Sequence, residues 1–77
     1  MNEYSVEMIP VSSSNVQAIG YDEANQVLYV RFIKNNSLYC YQGVPIAEYY
    51  GLQNATSVGS YLSQNIKKGP YTPQRLE

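Results

Sequence analysis

Apolar and polar residues alternate most regularly in Val27-Leu28-Tyr29-Val30-Arg31-Phe32-Ile33 and in Leu38-Tyr39-Cys40-Tyr41. Both runs are rich in β-branched and aromatic residues, so they predict two β-strands. Asn35-Asn36 between them tolerates the positive φ that a two-residue hairpin turn demands. Such a turn sets Phe32 opposite Tyr39, Arg31 opposite Cys40 and Val30 opposite Tyr41. Leu28, Val30, Phe32, Tyr39 and Tyr41 then share one face. Tyr29, Arg31, Ile33, Leu38, Cys40 and Gln42 share the other, which is more polar and is expected to be open.

Val16-Gln17-Ala18-Ile19-Gly20-Tyr21 predicts an earlier strand, ended by the turn-forming Asp22-Glu23-Ala24-Asn25. A four-residue loop closing Tyr21 against Gln26 keeps Ile19 and Tyr21 on the face of Leu28. Downstream, Val44-Pro45 opens a helix that should stop by Asn54, with Ile46, Tyr49 and Leu52 inward. Thr56-Ser57 caps a second helix whose apolar positions Val58, Tyr61, Leu62 and Ile66 recur at i, i+3, i+4 and i+8. Lys67 and Lys68 lie in its last turn and Gly69-Pro70 ends it. The predicted fold is α+β: a three-stranded antiparallel β-meander followed by two helices packed on one face. Residues 1–10 are expected to be a flexible N-terminal arm, 11–71 the domain, and 72–77 an extended tail whose final Leu76-Glu77 reads as a cloning remnant.

Seventy-seven residues make one domain, and a chain this short buries only about 60 to 65% of its unfolded surface. Nine tyrosines and no tryptophan make the core semi-polar, with phenol hydroxyls that need partners. A net charge of −1 gives no overall attraction toward phosphate, so nucleic-acid binding requires a local basic patch. Arg31, Lys34, Lys67, Lys68 and Arg75 are the only cations, dispersed between a hairpin, a helix end and a tail.

Without histidine, His-based general base catalysis, a Cys-His dyad and most zinc sites are excluded. Cys40 has no cysteine to pair with and reads as a small apolar filler on its strand. Asp22 and Glu23 read as solvated turn formers, and the glycines form no phosphate-binding loop. No catalytic role, cofactor or metal is assigned. No apolar run approaches a membrane span, and a reducing cytoplasm suits the lone thiol.

Ser14-Asn15 before Ile19-Gly20-Tyr21-Asp22, Leu28-x-Val30-x-Phe32, Tyr39-x-Tyr41, Val44-Pro45 and Ala55-x-Ser57-x-Gly59-x-Tyr61 ending at Ile66-Lys67 together resemble the KTSC domain. That family takes its name from the C-terminus of some lysyl-tRNA synthetases and includes small bacterial and phage proteins. The resemblance covers residues 11 to 71 and implies a bacterial or phage source and a family without one established function, in which the synthetase context suggests RNA binding. The chain departs from the family in carrying Asn35-Asn36-Ser37 where a glycine turn is common, and in lacking a strongly basic surface.

Two functions follow as expectations. One is a small RNA-binding module that holds single-stranded RNA weakly through Tyr29, Arg31, Lys67 and Lys68, with Tyr39 and Tyr41 in the core rather than stacking on bases. The other is a protein-interaction module or homodimer that pairs through the open sheet face or an edge strand.

Overall fold

The computed structural model describes residues 6–77, so residues 1–5 of the predicted arm lie outside the described residues. The strands are β1 (Ile9–Pro10), β2 (Val16–Asp22), β3 (Val27–Phe32), β4 (Leu38–Gln42) and β5 (Thr72–Arg75). They form one antiparallel sheet in the order β1-β2-β3-β4-β5. Among the described residues the sheet therefore has five strands rather than the predicted three. The extra two come from the segments expected to be arm and tail: Ile9 pairs with Ile19, and Arg75 pairs with Tyr39. Leu76 and Glu77 join the fold as well. Leu76 N–H donates to the Leu38 carbonyl at 2.7 Å, and Glu77 pairs with Arg31 at 2.9 Å.

Both hairpins depart from the predicted register by two residues. Leu28 pairs with Tyr41, Val30 with Tyr39 and Arg31 with Leu38, which corrects the expected pairs Val30–Tyr41, Phe32–Tyr39 and Arg31–Cys40. The Asn pair is not a two-residue turn. It ends a four-residue loop, Ile33 to Asn36, closed by Phe32 N–H to the Ser37 carbonyl at 2.8 Å, with Asn35 and Asn36 at φ 61° and 53°. Hydroxyl and backbone bonds favour this longer closure: Ser37 Oγ donates to the Lys34 carbonyl, and Arg31 donates to the Asn36 carbonyl at 2.7 Å. In the first hairpin Tyr21 pairs with Leu28 instead of Gln26. Because side chains alternate with a period of two, a slip of two residues leaves each residue on its predicted face.

The helical layer starts at α1 (Ile46–Asn54), with Pro45 as its N-cap. Next comes α2 (Val58–Tyr61), capped by Ser57, whose side chain accepts from Ser60 N–H at 3.3 Å. A π-helical segment, Leu62–Lys67, continues α2. Ile19, Leu28, Val30 and Tyr41 of the sheet pack against Leu52, Val58, Leu62 and Ile66 of this layer, all buried. Tyr21 stacks on Tyr49 with ring centroids 5.3 Å apart. Ile46, expected inward, is only partly buried and is not among the core residues.

Tyrosines tie the layers together through their hydroxyls. Glu48 on α1 accepts from Tyr61 at 2.7 Å and from Tyr71, just before β5, at 3.1 Å. Tyr61 lies so close over α1 that only a glycine fits beneath it at Gly51. The other sheet face is covered rather than open: Leu38 and Cys40 are buried, and the 6–8 segment crosses Gly20 so closely that a Cβ there would meet Met8 Sδ at 2.7 Å. Among the described residues no helix is long and apolar enough to cross a membrane.

Candidate functional site

Three cations and three aromatic rings line one open cleft of about 470 Å³ at an end of the sheet's helical face: Lys34, Lys67, Arg75, Phe32, Tyr39 and Tyr41. Among the described residues, none of those lining it is acidic. Each wall comes from a different part of the chain. The β3–β4 loop carries Lys34, the end of the π-helical segment carries Lys67, and β5 carries Arg75. Antiparallel partners project to the same side of a sheet, so pairing of Arg75 with Tyr39 puts both side chains on the cleft side, where Arg75 Nε also donates to the Glu77 main-chain oxygen at 3.1 Å. Three of the five cations thus share one cleft, which corrects in part the expectation that they are dispersed, while Arg31 and Lys68 lie outside it.

Inside the cleft, Phe32 and Tyr39 meet edge to face with centroids 5.6 Å apart and planes at 87°. Lys67 Nζ stands over the Phe32 ring, 4.9 Å from its centroid. Such a contact holds the ammonium by attraction to the ring quadrupole while leaving its hydrogens free for an anion. Tyr39 is half-buried and Tyr41 almost wholly buried, so the two aromatics of the β4 motif divide: Tyr41 is core and borders the cleft, and Tyr39 forms its wall. Burial, with a smaller contribution from Tyr39 nearby, pushes the Tyr41 hydroxyl above its usual range and keeps it a neutral hydrogen-bonding group.

The other predicted site residues do not gather here. Tyr29 and Arg31 project from the opposite face of β3, as strand alternation requires. Arg31 is held there by the Asn36 carbonyl and Glu77. Lys68 is exposed and is not part of the cleft lining. Cys40 sits buried on that far face, where burial raises its thiol pKa, the reverse of what a reactive thiolate needs. Among the described residues no group of three His, Cys, Asp or Glu side chains could hold a metal ion. The sequence reading missed Lys34 and Arg75 as site residues, and the signal that could have found them was a fifth strand in residues 72–75.

A second opening of about 450 Å³ adjoins the first and shares Asn15 with it. Its other walls are the Ser12–Ser14 connector, the Thr56–Ser60 stretch and Ser63, and among the described residues no charged side chain lines it. Asn15 packs its amide against Gly59, where a Cβ would lie 2.5 Å from Oδ1, and this contact holds the connector against α2.

Sheet, helical layer and cleft define a class: a small α+β domain in which two helical segments cover one face of an antiparallel sheet and leave a basic, aromatic-walled cleft at its end. The chain belongs to the KTSC domain family, whose pattern it matches over residues 12–71. It is similar to a KTSC domain protein from Yersinia pestis, whose crystal structure superposes with a TM-score of 0.87 at 32% identity, over 95% of this chain and all of that one. It is also 31% identical to an uncharacterised protein of Stutzerimonas stutzeri over 72 residues, spanning 94% of this chain and the whole relative. A protein of Tsukamurella paurometabola is 38% identical over 60 residues, covering 78% and 88% of the two chains.

Proposed function

We propose that this domain is a non-enzymatic module of a bacterial or phage cytoplasm that binds a short single-stranded RNA segment in the Lys34–Lys67–Arg75 cleft. The observation that carries this reading is the convergence of three of the five cations on aromatic walls with no acid among the described lining residues. On a chain of net charge −1 such a patch is local, and it supplies both phosphate contacts and ring surface. A half-buried Tyr39 can stack a base that a duplex would keep inside, so single strands are favoured.

Three phosphate contacts on a single strand give a log-log salt slope of magnitude about 2 and a dissociation constant no tighter than roughly micromolar at physiological salt. Titration of a fluorescent single-stranded oligonucleotide at two salt concentrations checks both numbers. The alternative reading, pairing of two copies through the far sheet face, has less support because Leu38 and Cys40 there are already buried within the chain. At the β5 edge, Pro73 lacks the N–H that strand addition would use. Absence of binding at low salt together with a dimer in sedimentation would reverse this preference.

A further inference from the structure

Phe32 touches both working parts of the cleft. Lys67 Nζ stands 4.9 Å from its ring centroid, and the Tyr39 ring meets it edge to face at 5.6 Å. We infer that Phe32 is the positioning residue of the cleft: its ring holds the Lys67 ammonium and the Tyr39 ring together, so that a phosphate and the base beside it are bound as one nucleotide unit. The inference rests on the RNA reading of the cleft and adds to it the residue that organises the site.

Three observations carry it. Phe32 is itself fixed, because its backbone lies opposite the buried Val16 and its N–H donates to the Ser37 carbonyl at 2.8 Å where the β3–β4 loop closes. Its ring packs against the same core that buries Ile66, the neighbour of Lys67, so both partners of the contact are anchored to one body. Second, among the described residues the Lys67 ammonium has no carboxylate or carbonyl partner, and the Phe32 ring is what holds it. Ordering a long, free side chain on binding costs about two- to tenfold in affinity. A cation–π contact contributes about two- to fivefold, so the ring offsets much of that cost before the ligand arrives. Third, the planes of Phe32 and Tyr39 lie at 87°, an arrangement that braces the Tyr39 ring and leaves at least one of its faces uncovered by Phe32.

A leucine at this position would fill the core side nearly as well, but it has no quadrupole and neither contact would survive. The consequence for the ligand is specific. A bare polyanion uses the ammonium alone and a free base uses Tyr39 alone, whereas a nucleotide uses both of the groups that Phe32 joins.

Fluorescence anisotropy with a 5′-fluorescein uridine octamer and an abasic ribose-phosphate octamer of the same charge tests the inference. The parent should prefer the uridine octamer by roughly fivefold or more, the contribution of one stacked base. Phe32→Leu should weaken uridine-octamer binding by roughly threefold or more and narrow that preference, with the salt slope unchanged because no charge has been removed. Phe32→Tyr keeps the ring and should bind as the parent does. Lys67→Ala should lower affinity less in the Phe32→Leu background than in the parent, as coupled residues do. A Phe32 that only fills the core would lower the urea midpoint on replacement by leucine and move none of these readouts. Where Phe32→Leu folds poorly, NMR of protein carrying ring-labelled phenylalanine answers instead, since the chain has a single phenylalanine. Its ring signals should shift in Lys67→Ala and again when the uridine octamer is added to the parent. A Phe32→Leu variant that binds as the parent does, a Phe32→Tyr variant that fails to rescue, a parent that binds both octamers alike, equal Lys67→Ala losses in the two backgrounds, or ring signals that do not move each overturn the positioning role and leave the cationic cleft standing. Absence of uridine-octamer binding by the parent at low salt overturns both.

Discussion

A single methyl group at Gly51 sets two effects against each other whose signs are known. Gly51 lies inside α1, where alanine would ordinarily stabilise the helix by about 1 kcal/mol. Here the new Cβ would overlap the Tyr61 hydroxyl and stand 2.5 Å from Cζ and 3.0 Å from Cε2 of the same ring. The ring must leave. It then loses its 2.7 Å bond to the Glu48 carboxylate, a charged acceptor worth about 1.5 to 3 kcal/mol. Displacing a packed ring adds about 1 to 3 kcal/mol of overpacking. Gly51→Ala should therefore destabilise by about 1.5 to 5 kcal/mol, a large share of the roughly 4 to 12 kcal/mol expected for a chain of this size. Urea denaturation followed by far-UV circular dichroism measures it, since the chain has no tryptophan. Combination with Tyr61→Phe should be less than additive, because the double variant lacks both the overlapped hydroxyl and the bond at stake. An alanine variant as stable as the parent would refute the reasoning, since propensity would then have won and Tyr61 could not be locked over α1.

Tyr41→Ala should cost about 3 kcal/mol or more in denaturation midpoint analysis, because the ring is core and only 3% exposed. Stability should be complete below about pH 9 and fall as pH rises above it: Cys40 through burial, Tyr61 through its hydrogen bond to Glu48, and Tyr21, Tyr41, Tyr49 and Tyr71, chiefly through burial, hold their protons more tightly folded than unfolded. Urea midpoints between pH 8 and 11 check this, and a flat profile would contradict it. Lys67→Ala should lower oligonucleotide affinity and reduce the magnitude of the salt slope by about 0.7, one single-strand phosphate contact, with little loss of stability; an unchanged slope would remove Lys67 from the site.

The inward face of the sheet was legible because it depends only on alternation. Leu28, Val30 and Tyr41 are buried although both hairpins slipped by two residues, since an even slip preserves the side of every residue. The register was not legible. Asn35 and Asn36 do adopt positive φ, but that conformation serves a two-residue turn and the end of a four-residue loop equally well. Ser37 and Arg31 decide between them through bonds that exist only once the loop has formed. The second helix was read from its cap and its 58-61-62-66 spacing, and both hold, while the π-helical turn within it has no composition of its own.

The cleft was illegible for a related reason: it depends on the strand that the sequence argued against. Thr72-Pro73-Gln74-Arg75 is short, exposed and contains a proline, all of which count against a central strand. None of them counts against an edge strand, where one side of the backbone needs no partner. Gly69-Pro70 ends the helical segment and turns the chain back along β4, and Tyr71 reaches Glu48 to fix the return. Once β5 lies there, Tyr39 has Arg75 as its cross-strand partner. The same return brings Arg75 into one cleft with Lys34 and Lys67, two residues whose separation in sequence gives no hint of contact. A net charge of −1 can therefore conceal a basic site when the acids sit elsewhere in the fold, with Asp22 and Glu23 on the β2–β3 hairpin and Glu48 accepting hydroxyls from two tyrosines. What matters for binding is which elements the topology brings together, and here one edge strand of four residues decides it.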